Sequence, residues 1–263
     1  MTRRICDQKI EDIISMYNKG HGTMYIAHNL NISRVTVQKY LLKGGITLRK
    51  TSPRFVYDIN FFDRYNDKSA YWAGFIAADG YIRPNRATLH IKLAIIDYNH
   101  LLKFCKEIQY HYIPKKAKNN SYCYIDVSGT WFVNGLKKNF DISSNKTKNV
   151  RIYDKIPKKY LSHFLRGYFD GDGCVTYTST SSISFSGASE MMLCQIKILF
   201  RDTLKIKLKS GNDSPPIKNG KQISYSGKNA YRILKWMYFG SEESTRLDRK
   251  YRRFIELFVK KVG

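Results

Sequence analysis

Apolar residues near the start of the chain recur at steps of three and four. Over residues 8–19 this spacing predicts an amphipathic helix that ends at Gly20. A second short helix is predicted from Met24 to Leu30, followed by a tight turn. Ser33 is a suitable N-cap for a third helix. The apolar positions of the third helix are Val35, Val37, Tyr40, Leu41 and Leu42.

The segment from Ile26 to Leu41 reads Ile-Ala-x-x-Leu-x-Ile-Ser-x-x-Thr-Val-x-x-Tyr-Leu. This pattern resembles a helix-turn-helix DNA reader, in which the last helix lies in the major groove. Residues 1–45 are therefore predicted to be a small all-α helix-turn-helix module, and the alternative is a helical hairpin that only packs. The polar residues of the third helix that are candidate DNA contacts are Arg34, Thr36, Gln38 and Lys39.

Residues 46–66 are predicted to form a basic linker. Thr51-Ser52-Pro53 is poor helix material, and Arg49, Lys50 and Arg54 are placed to follow DNA phosphates. The alternative is a solvated loop that touches nothing.

The rest of the chain contains a repeat. The segments from Tyr71 to Gly80 and from Phe164 to Gly173 match each other, and Asp172 follows Asp79 by 93 residues. Each segment is followed by a hairpin, a helix, further strands and a final helix. We predict an α+β fold with two pseudo-symmetric αββαββα half-domains, residues 67–155 and 156–263, of which the second closes with a basic helix at 248–261.

Polar and apolar residues alternate along the predicted strands, which indicates antiparallel sheets with one face on a core and the other toward solvent. A curved sheet with such a polar face fits the major groove, although an ordinary solvated face remains the alternative for any single strand. The candidate DNA contacts on the strands and hairpins are Arg83, Arg86, Thr88, His90, Lys92, Thr176, Thr178, Ser184, Lys221, Gln222 and Ser224.

The two matching segments also carry the candidate chemistry. Small residues at helical spacing, Gly74 and Ala78 in the first and Gly167 and Gly171 in the second, allow two helices to touch backbone to backbone. Packed helices would bring the carboxylates at their ends together. Two close carboxylates repel unless they bind a cation, and oxygen ligands favour Mg²⁺. The alternative is that each Asp-Gly pair only opens a hairpin.

Residues 72–80 and 165–173 resemble the two signature motifs of LAGLIDADG homing endonucleases in their single-chain form. The resemblance covers about residues 67–258. It implies a monomer that forms a DNA-binding saddle of two four-stranded antiparallel sheets. It also implies cleavage of both strands of a long double-stranded target, which leaves short 3′ overhangs. Asp79 and Asp172 are then the catalytic metal ligands, and Ala78 and Gly171 complete the metal sites.

The family also places a basic residue near the scissile phosphates, and Lys228 matches that place, with Thr130 as its counterpart in the first half. The implied cofactor is Mg²⁺, with Mn²⁺ as a substitute and Ca²⁺ as an ion that binds without supporting cleavage. Two departures stand out. The sixth motif position is Ala77 in one copy and Asp170 in the other, and Arg166, expected on an outer face, replaces a small residue.

The composition agrees with a nucleic-acid partner. The 46 Lys and Arg residues against 21 Asp and Glu residues give a formal charge of +25. Five scattered cysteines without a Cys-x-x-Cys pair argue against a structural zinc site and fit a reducing cytoplasm. No signal peptide or bilayer-length apolar run is evident, so no membrane association is expected.

Three other functions remain open at this stage. A DNA-binding regulator or an intron-splicing maturase would use the same scaffold, and the maturase would bind the RNA of a host intron. A nuclease of another class would need a different motif, and the Asp-x-Lys at 248–250 is a weak match.

Overall fold

A computed structural model describes residues 5–49, 57–144, 149–177, 180–187, 189–206 and 222–256. The chain forms two compact units. One comprises residues 1–58 together with 109–112, and the other comprises residues 59–108 and 113–263. Within the described ranges no helix has the length and apolar character needed to cross a membrane.

The N-terminal unit contains three helices where the periodicity predicts them: α1 (Asp7–Asn18), α2 (Thr23–Asn29) and α3 (Arg34–Lys43). Ser33 caps α3, because its side-chain oxygen accepts a hydrogen bond of 3.0 Å from the backbone N–H of Thr36. The three helices share one buried core. Its members are Ile13, Tyr17, Ile26, Ala27, Val37 and Leu41.

Two details of this unit differ from the sequence interpretation. Val35 and Leu42 are 73% and 58% exposed, because they lie on the opposite side of α3 from the buried Val37 and Leu41. Arg49 is not free to follow phosphates, since its guanidinium lies 4.0 Å from the centre of the Tyr17 ring and donates to the Tyr17 carbonyl. Lys50 and Arg54 lie outside the described residues.

The larger unit begins with a segment that was expected to be linker. Phe61 and Phe62 are buried instead, and the Phe62 ring lies 5.0 Å from that of Phe132. The linker prediction is therefore wrong for the C-terminal end of the 46–66 range. An aromatic cluster needs partners that are distant in sequence, and local composition does not reveal them.

The first half of the larger unit has the element order α4, β1, β2, α5, β3, β4, α6. The strands form one antiparallel sheet in the order β1-β2-β4-β3. The bounds are α4 (Asp67–Asp79), β1 (Gly80–Ile82), β2 (Thr88–Ala94), α5 (Tyr98–Glu107), β3 (Lys115–Lys116), β4 (Tyr122–Ser128) and α6 (Thr130–Phe140).

The second half repeats this order as far as the described residues extend. Its sheet is antiparallel in the order β5-β6-β7, and the segment where a fourth strand was predicted, 207–221, lies outside the described residues. The α+β prediction with antiparallel sheets is confirmed. The bounds are α7 (Leu161–Asp172), β5 (Gly173–Tyr177), β6 (Ser181–Ser186), α8 (Glu190–Leu204), β7 (Gln222–Ser226), α9 (Gly227–Tyr238) and α10 (Asp248–Phe254).

The helices α4 and α7 cross with their backbones in contact. A Cβ atom added to Gly74 would lie 1.9 Å from the carbonyl oxygen of Phe164, and one added to Gly167 would lie 1.9 Å from that of Tyr71. These contacts are related by the 93-residue repeat, because Gly167 and Phe164 correspond to Gly74 and Tyr71. The crossing therefore has local two-fold symmetry, and only glycine fits at its two contact points.

Gly80 and Gly173 follow these helices for a steric reason and not for the left-handed conformation often found there. Their φ angles are −77° and −86°, in the extended region. A Cβ on Gly80 would come within 2.7 Å of the Ile76 carbonyl oxygen, and one on Gly173 within 2.5 Å of the Phe169 carbonyl oxygen. The glycines let each strand leave its helix directly against the last helical turn.

A buried polar network joins the halves around Asp170. Its carboxylate accepts hydrogen bonds from Tyr71 Oη (2.8 Å), from Tyr238 Oη and from the Leu247 backbone N–H (2.8 Å). Since the Tyr71 hydroxyl hydrogen goes to Asp170, the His100 Nε2–H donates to Tyr71 Oη across 3.0 Å. Burial raises the pKa of Asp170 and lowers that of His100 well below its ordinary value.

Arg166 was expected on an outer face, and this prediction is wrong. The side chain is 1% exposed and donates to the carbonyl oxygens of Thr245 (2.7 Å) and Met237 (2.6 Å). Residues 237–247 cover this face of α7 and supply the acceptors that a buried guanidinium requires.

Gly74→Ala should lower the free energy of unfolding by about 2 kcal/mol or more. The methyl group would overlap a backbone oxygen that cannot move away alone, and this overpacking exceeds the roughly 1 kcal/mol gained in helix propensity. Denaturant titration measures the change. The control is Gly44→Ala, where φ is −78° and the nearest atom is a side-chain methyl at 3.3 Å. Equal small effects at both positions would contradict the close crossing.

His100 should make the larger unit acid-sensitive. Its folded pKa lies below the ordinary 6.5, so the unfolded chain binds a proton that the folded chain excludes. The free energy of unfolding then falls as the pH drops below about 6.5, by up to about 1.4 kcal/mol per pH unit. His100→Phe should reduce this slope. Denaturant titrations between about pH 5 and pH 8 measure it, and an unchanged slope would show that His100 takes up its proton without unfolding.

Candidate active site and nucleic-acid interface

Asp79 and Asp172 are the last residues of α4 and α7, and both are partly exposed. Small residues at the preceding motif position allow the two helix ends to approach. A Cβ added to Gly171 would lie 2.4 Å from the Ala78 Cβ and 3.3 Å from Asp79 Oδ2. The first carboxylate therefore lies against the residue that precedes the second one.

Cations on α10 balance the negative charge at this place. Each carboxylate stands at the carboxyl end of a helix, where the backbone dipole is also negative. Arg249 donates to both oxygens of the buried carboxylate of Asp97, from Nε at 2.9 and 3.1 Å and from Nη2 at 3.0 Å. That hydrogen bonding is the main reason that the pKa of Arg249 is raised, and the charge of Asp79 contributes in the same direction.

Lys250 is the most deeply buried of these cations, at 5% exposure. Its Nζ donates to the carbonyl oxygens of Phe169 (2.7 Å), Asp170 (2.7 Å) and Gly171 (3.2 Å), which are the last turn of α7 before Asp172. Burial lowers its pKa to about 8, against the opposing effect of the negative charges on Asp170 and Asp79.

The donor chemistry at the paired helix ends fits a hard divalent cation. Two partly exposed carboxylates and nearby backbone carbonyls are oxygen ligands, and Mg²⁺ in proteins often uses one or two carboxylates with water and phosphate oxygens. Among the described residues no three side chains of His, Cys, Asp and Glu cluster around one point. Gly171 is less open to a metal than the sequence suggests, because its carbonyl already accepts from Lys250.

Lys228 lies in the first turn of α9, exposed to solvent, and Thr130 starts α6 at the equivalent place. Gly227 before it has φ +54°, a left-handed conformation that favours glycine at the junction of β7 and α9. Lys221 and Thr178, two candidate DNA contacts, lie outside the described residues.

The solvent face of the first sheet has an acidic residue that sequence reasoning missed. Asp126 lies opposite His90 in the antiparallel register, and its Oδ1 lies 3.0 Å from His90 Nδ1 and 2.9 Å from Arg83 Nη2. Lys92 extends over the Tyr122 ring with its Nζ 3.9 Å from the ring centre. Arg86 in the β1–β2 hairpin is exposed. The alternation of polar and apolar residues over 122–128 could have predicted that Asp126 lies on the solvent face of this strand.

Two candidate DNA contacts are buried, which contradicts their expected exposure. Thr88 is 8% exposed and its hydroxyl lies 2.9 Å from that of Ser128, while Ser184 is 9% exposed on the central strand β6. Residues on neighbouring strands cover both side chains. The alternation of polar and apolar residues along one strand does not predict this burial. On the same sheet as Ser184, Thr176 is exposed, and Gln222 and Ser224 are partly exposed.

The N-terminal unit presents a polar face of α3. Arg34 and Lys39 are exposed and Gln38 is partly exposed. The Thr36 hydroxyl lies 2.7 Å from that of Ser33, so Thr36 takes part in the helix cap. The exposed Val35 lies beside Arg34 and adds an apolar group to this face.

The Asp-x-Lys at 248–250 is not a separate nuclease motif. Asp248 forms a 2.7 Å ion pair with Lys103 of α5, and Lys250 caps α7. The two side chains therefore bind different partners and do not share one site.

Comparison with known proteins gives a family match for one part of the chain. Residues 159–263 match the model of a LAGLIDADG-like domain. The matched range begins just before α7 and includes Asp172, Lys228 and Lys250. The comparison with curated protein sequences found no match.

Several solved structures have a partly similar backbone. The LAGLIDADG homing endonuclease I-LtrWI, bound to target DNA, is 10% identical with a TM-score of 0.49, over 78% of this chain and 92% of that one. The endonuclease I-GzeII in complex with its DNA target is 15% identical with a TM-score of 0.46, over 76% and 90%. Full-length DUF199/WhiA from Thermatoga maritima is 14% identical with a TM-score of 0.45, over 76% and 64%. The family model covers less than half of the chain, residues 159–263, and that part is similar to a LAGLIDADG-like domain.

Proposed function

We propose that this protein is a site-specific endonuclease that hydrolyses both strands of a long double-stranded DNA target with Mg²⁺. The observation that carries the proposal is the glycine-mediated crossing of α4 and α7, which ends with the Asp79 carboxylate against the residue before Asp172. Two carboxylates at paired helix ends, on a chain of charge +25, suit a cation that also binds a phosphate.

In this proposal Asp79 and Asp172 hold Mg²⁺ ions, and the backbone oxygen of Ala78 is a further ligand, whereas that of Gly171 accepts from Lys250. Bound Mg²⁺ supplies the acidity that activates water and stabilises the leaving oxygen. Lys228 projects from the start of α9 and stabilises negative charge on the phosphate. The backbone crossing fixes the distance between the two helix ends that carry the carboxylates, which favours a preorganised site.

The solvent faces of the sheets provide the DNA surface. On the first sheet Arg83, His90 and Lys92 stand beside one another on β1–β2, and Asp126 holds the first two in place. Arg and Lys bind guanine edges and phosphates, and fixed side chains lose less entropy on binding. Thr176, Gln222 and Ser224 provide the equivalent polar groups of the second sheet.

The N-terminal unit is proposed to read DNA as a helix-turn-helix module. The contacts to base edges and phosphates are the exposed Arg34 and Lys39 and the partly exposed Gln38 of α3. The protein acts as a monomer, because one chain supplies both carboxylates.

Asp79→Asn and Asp172→Asn should each reduce cleavage by at least about a thousandfold, because an amide does not replace a carboxylate ligand. Binding to the same duplex in Ca²⁺ should change less than about tenfold. A target is first selected from a randomised duplex library with Mg²⁺, and supercoiled plasmid is then followed through its nicked and linear forms. Asp154→Asn, at an exposed position, is the matched control.

Two results would oppose the cleavage proposal. Full activity of the double Asn variant would remove the carboxylates from the mechanism. Tight, specific binding by the wild-type protein without cleavage in Mg²⁺ or Mn²⁺ would instead indicate a DNA-binding regulator.

Deletion of residues 1–50 should weaken specific binding and shorten the protected DNA footprint at one end. Lys39→Ala in the full chain should weaken binding and reduce the slope of log K against log salt by about one. Lys19→Ala, which removes an exposed lysine of the same unit, is the control. An unchanged footprint after deletion would show that the N-terminal unit does not contact DNA.

A further inference from the structure

Lys250 makes buried hydrogen bonds that have no role in the proposed chemistry. Its ammonium group is buried and faces the carbonyl oxygens of Phe169, Asp170 and Gly171. An ammonium has three donors, and three acceptors surround it. These acceptors are the last carbonyls of α7 before Asp172.

The end of a helix leaves its final carbonyls without intrahelical partners, and the helix dipole adds negative charge there. In α7 the next group is the Asp172 carboxylate, and the buried Asp170 lies within the same turn. A cation that binds the final carbonyls offsets this negative charge and fixes the direction in which the last turn points.

Lys250 is itself held in place. The neighbouring Arg249 makes a bidentate ion pair with Asp97 of the first half. Phe254, which is also on α10, stacks against Tyr238 of α9 with 5.7 Å between the ring centres. The lysine therefore approaches α7 from a helix that is anchored to both halves of the larger unit.

We propose that Lys250 is a positioning residue of the cleavage centre, whose ammonium group holds the carboxyl end of α7 so that Asp172 points at the metal. This inference rests on the proposed function. Removing the amine takes this donor from the carbonyls of Asp170 and Gly171, whereas the Phe169 carbonyl keeps the backbone N–H of Gly173. The last turn of α7 must then open toward water to satisfy the buried Asp170 carbonyl. Asp172 then loses its fixed position.

The test uses Lys250→Met, which keeps the length of the side chain, and Lys250→Gln, which keeps a neutral donor. Mn²⁺ is titrated into the full-length protein without DNA, and free Mn²⁺ is followed by electron paramagnetic resonance. Both variants should bind Mn²⁺ at least about tenfold more weakly than wild type. Lys106→Gln on the exposed face of α5 is the control for the change of net charge and should bind as wild type does.

A double-mutant cycle separates positioning from a general loss of stability. If Lys250 acts through Asp172, Lys250→Gln should have no further effect on Mn²⁺ binding in an Asp172→Asn background. In an Asp79→Asn background it should still weaken the remaining site by about tenfold. Circular dichroism reports whether each variant is folded.

The outcomes distinguish this inference from the function on which it rests. If wild type neither binds Mn²⁺ nor cleaves, the proposed function fails. If Asp172→Asn loses Mn²⁺ binding while both Lys250 variants keep it, the function stands and the positioning role is refuted. Tighter Mn²⁺ binding in the variants would show that Lys250 only repels the metal. Loss of the fold in both variants would make Lys250 a stability residue and would also overturn the proposal.

Discussion

The larger unit depends on the contact between the backbones of α4 and α7. Gly74 and Gly167 leave no room for even a methyl group, so the helix axes are as close as their main chains permit. The crossing brings the carboxyl ends of the two helices close together, and both end in a carboxylate, Asp79 in one and Asp172 in the other. The packing contact therefore brings together two helix ends that are negative both by their dipoles and by their last side chains.

The surroundings of the two carboxylates are less symmetric than the helices themselves. In the second half a buried Asp170 accepts three hydrogen bonds, whereas the first half has Ala77 at that motif position. Arg249 and Lys250 come from α10, which follows the second half. The groups that surround the two carboxylates therefore differ between the halves.

Acidic residues offset part of the large positive charge at particular places on the surface. The first sheet places Asp126 between Arg83 and His90, which fixes their side chains and lowers the net charge of that patch. Side chains ordered in this way lose less conformational entropy when they bind a partner.

Local pattern determines much of this protein. Helical periodicity places α1 to α3, alternation places the main strands, and the small residues around Gly74 and Gly167 indicate a close helix crossing. The repeat of an Asp at both helix ends identifies the pair of carboxylates from the sequence alone. These features are local because each depends on residues within one or two helical turns or strands of each other.

Tertiary structure alone decided which polar groups are covered and by what. Arg166 and Lys250 are basic residues of the kind usually found on a surface, yet both are buried. Arg166 of α7 donates to the carbonyl oxygens of Met237 and Thr245, which lie about 70 to 80 positions later in the chain. Lys250, at a similar distance along the chain, donates to the carbonyl oxygen of Phe169 in α7. Thr88 and Phe62 are buried by distant residues in the same way. Burial depends on partners from distant parts of the chain, and the sequence around a residue does not contain them.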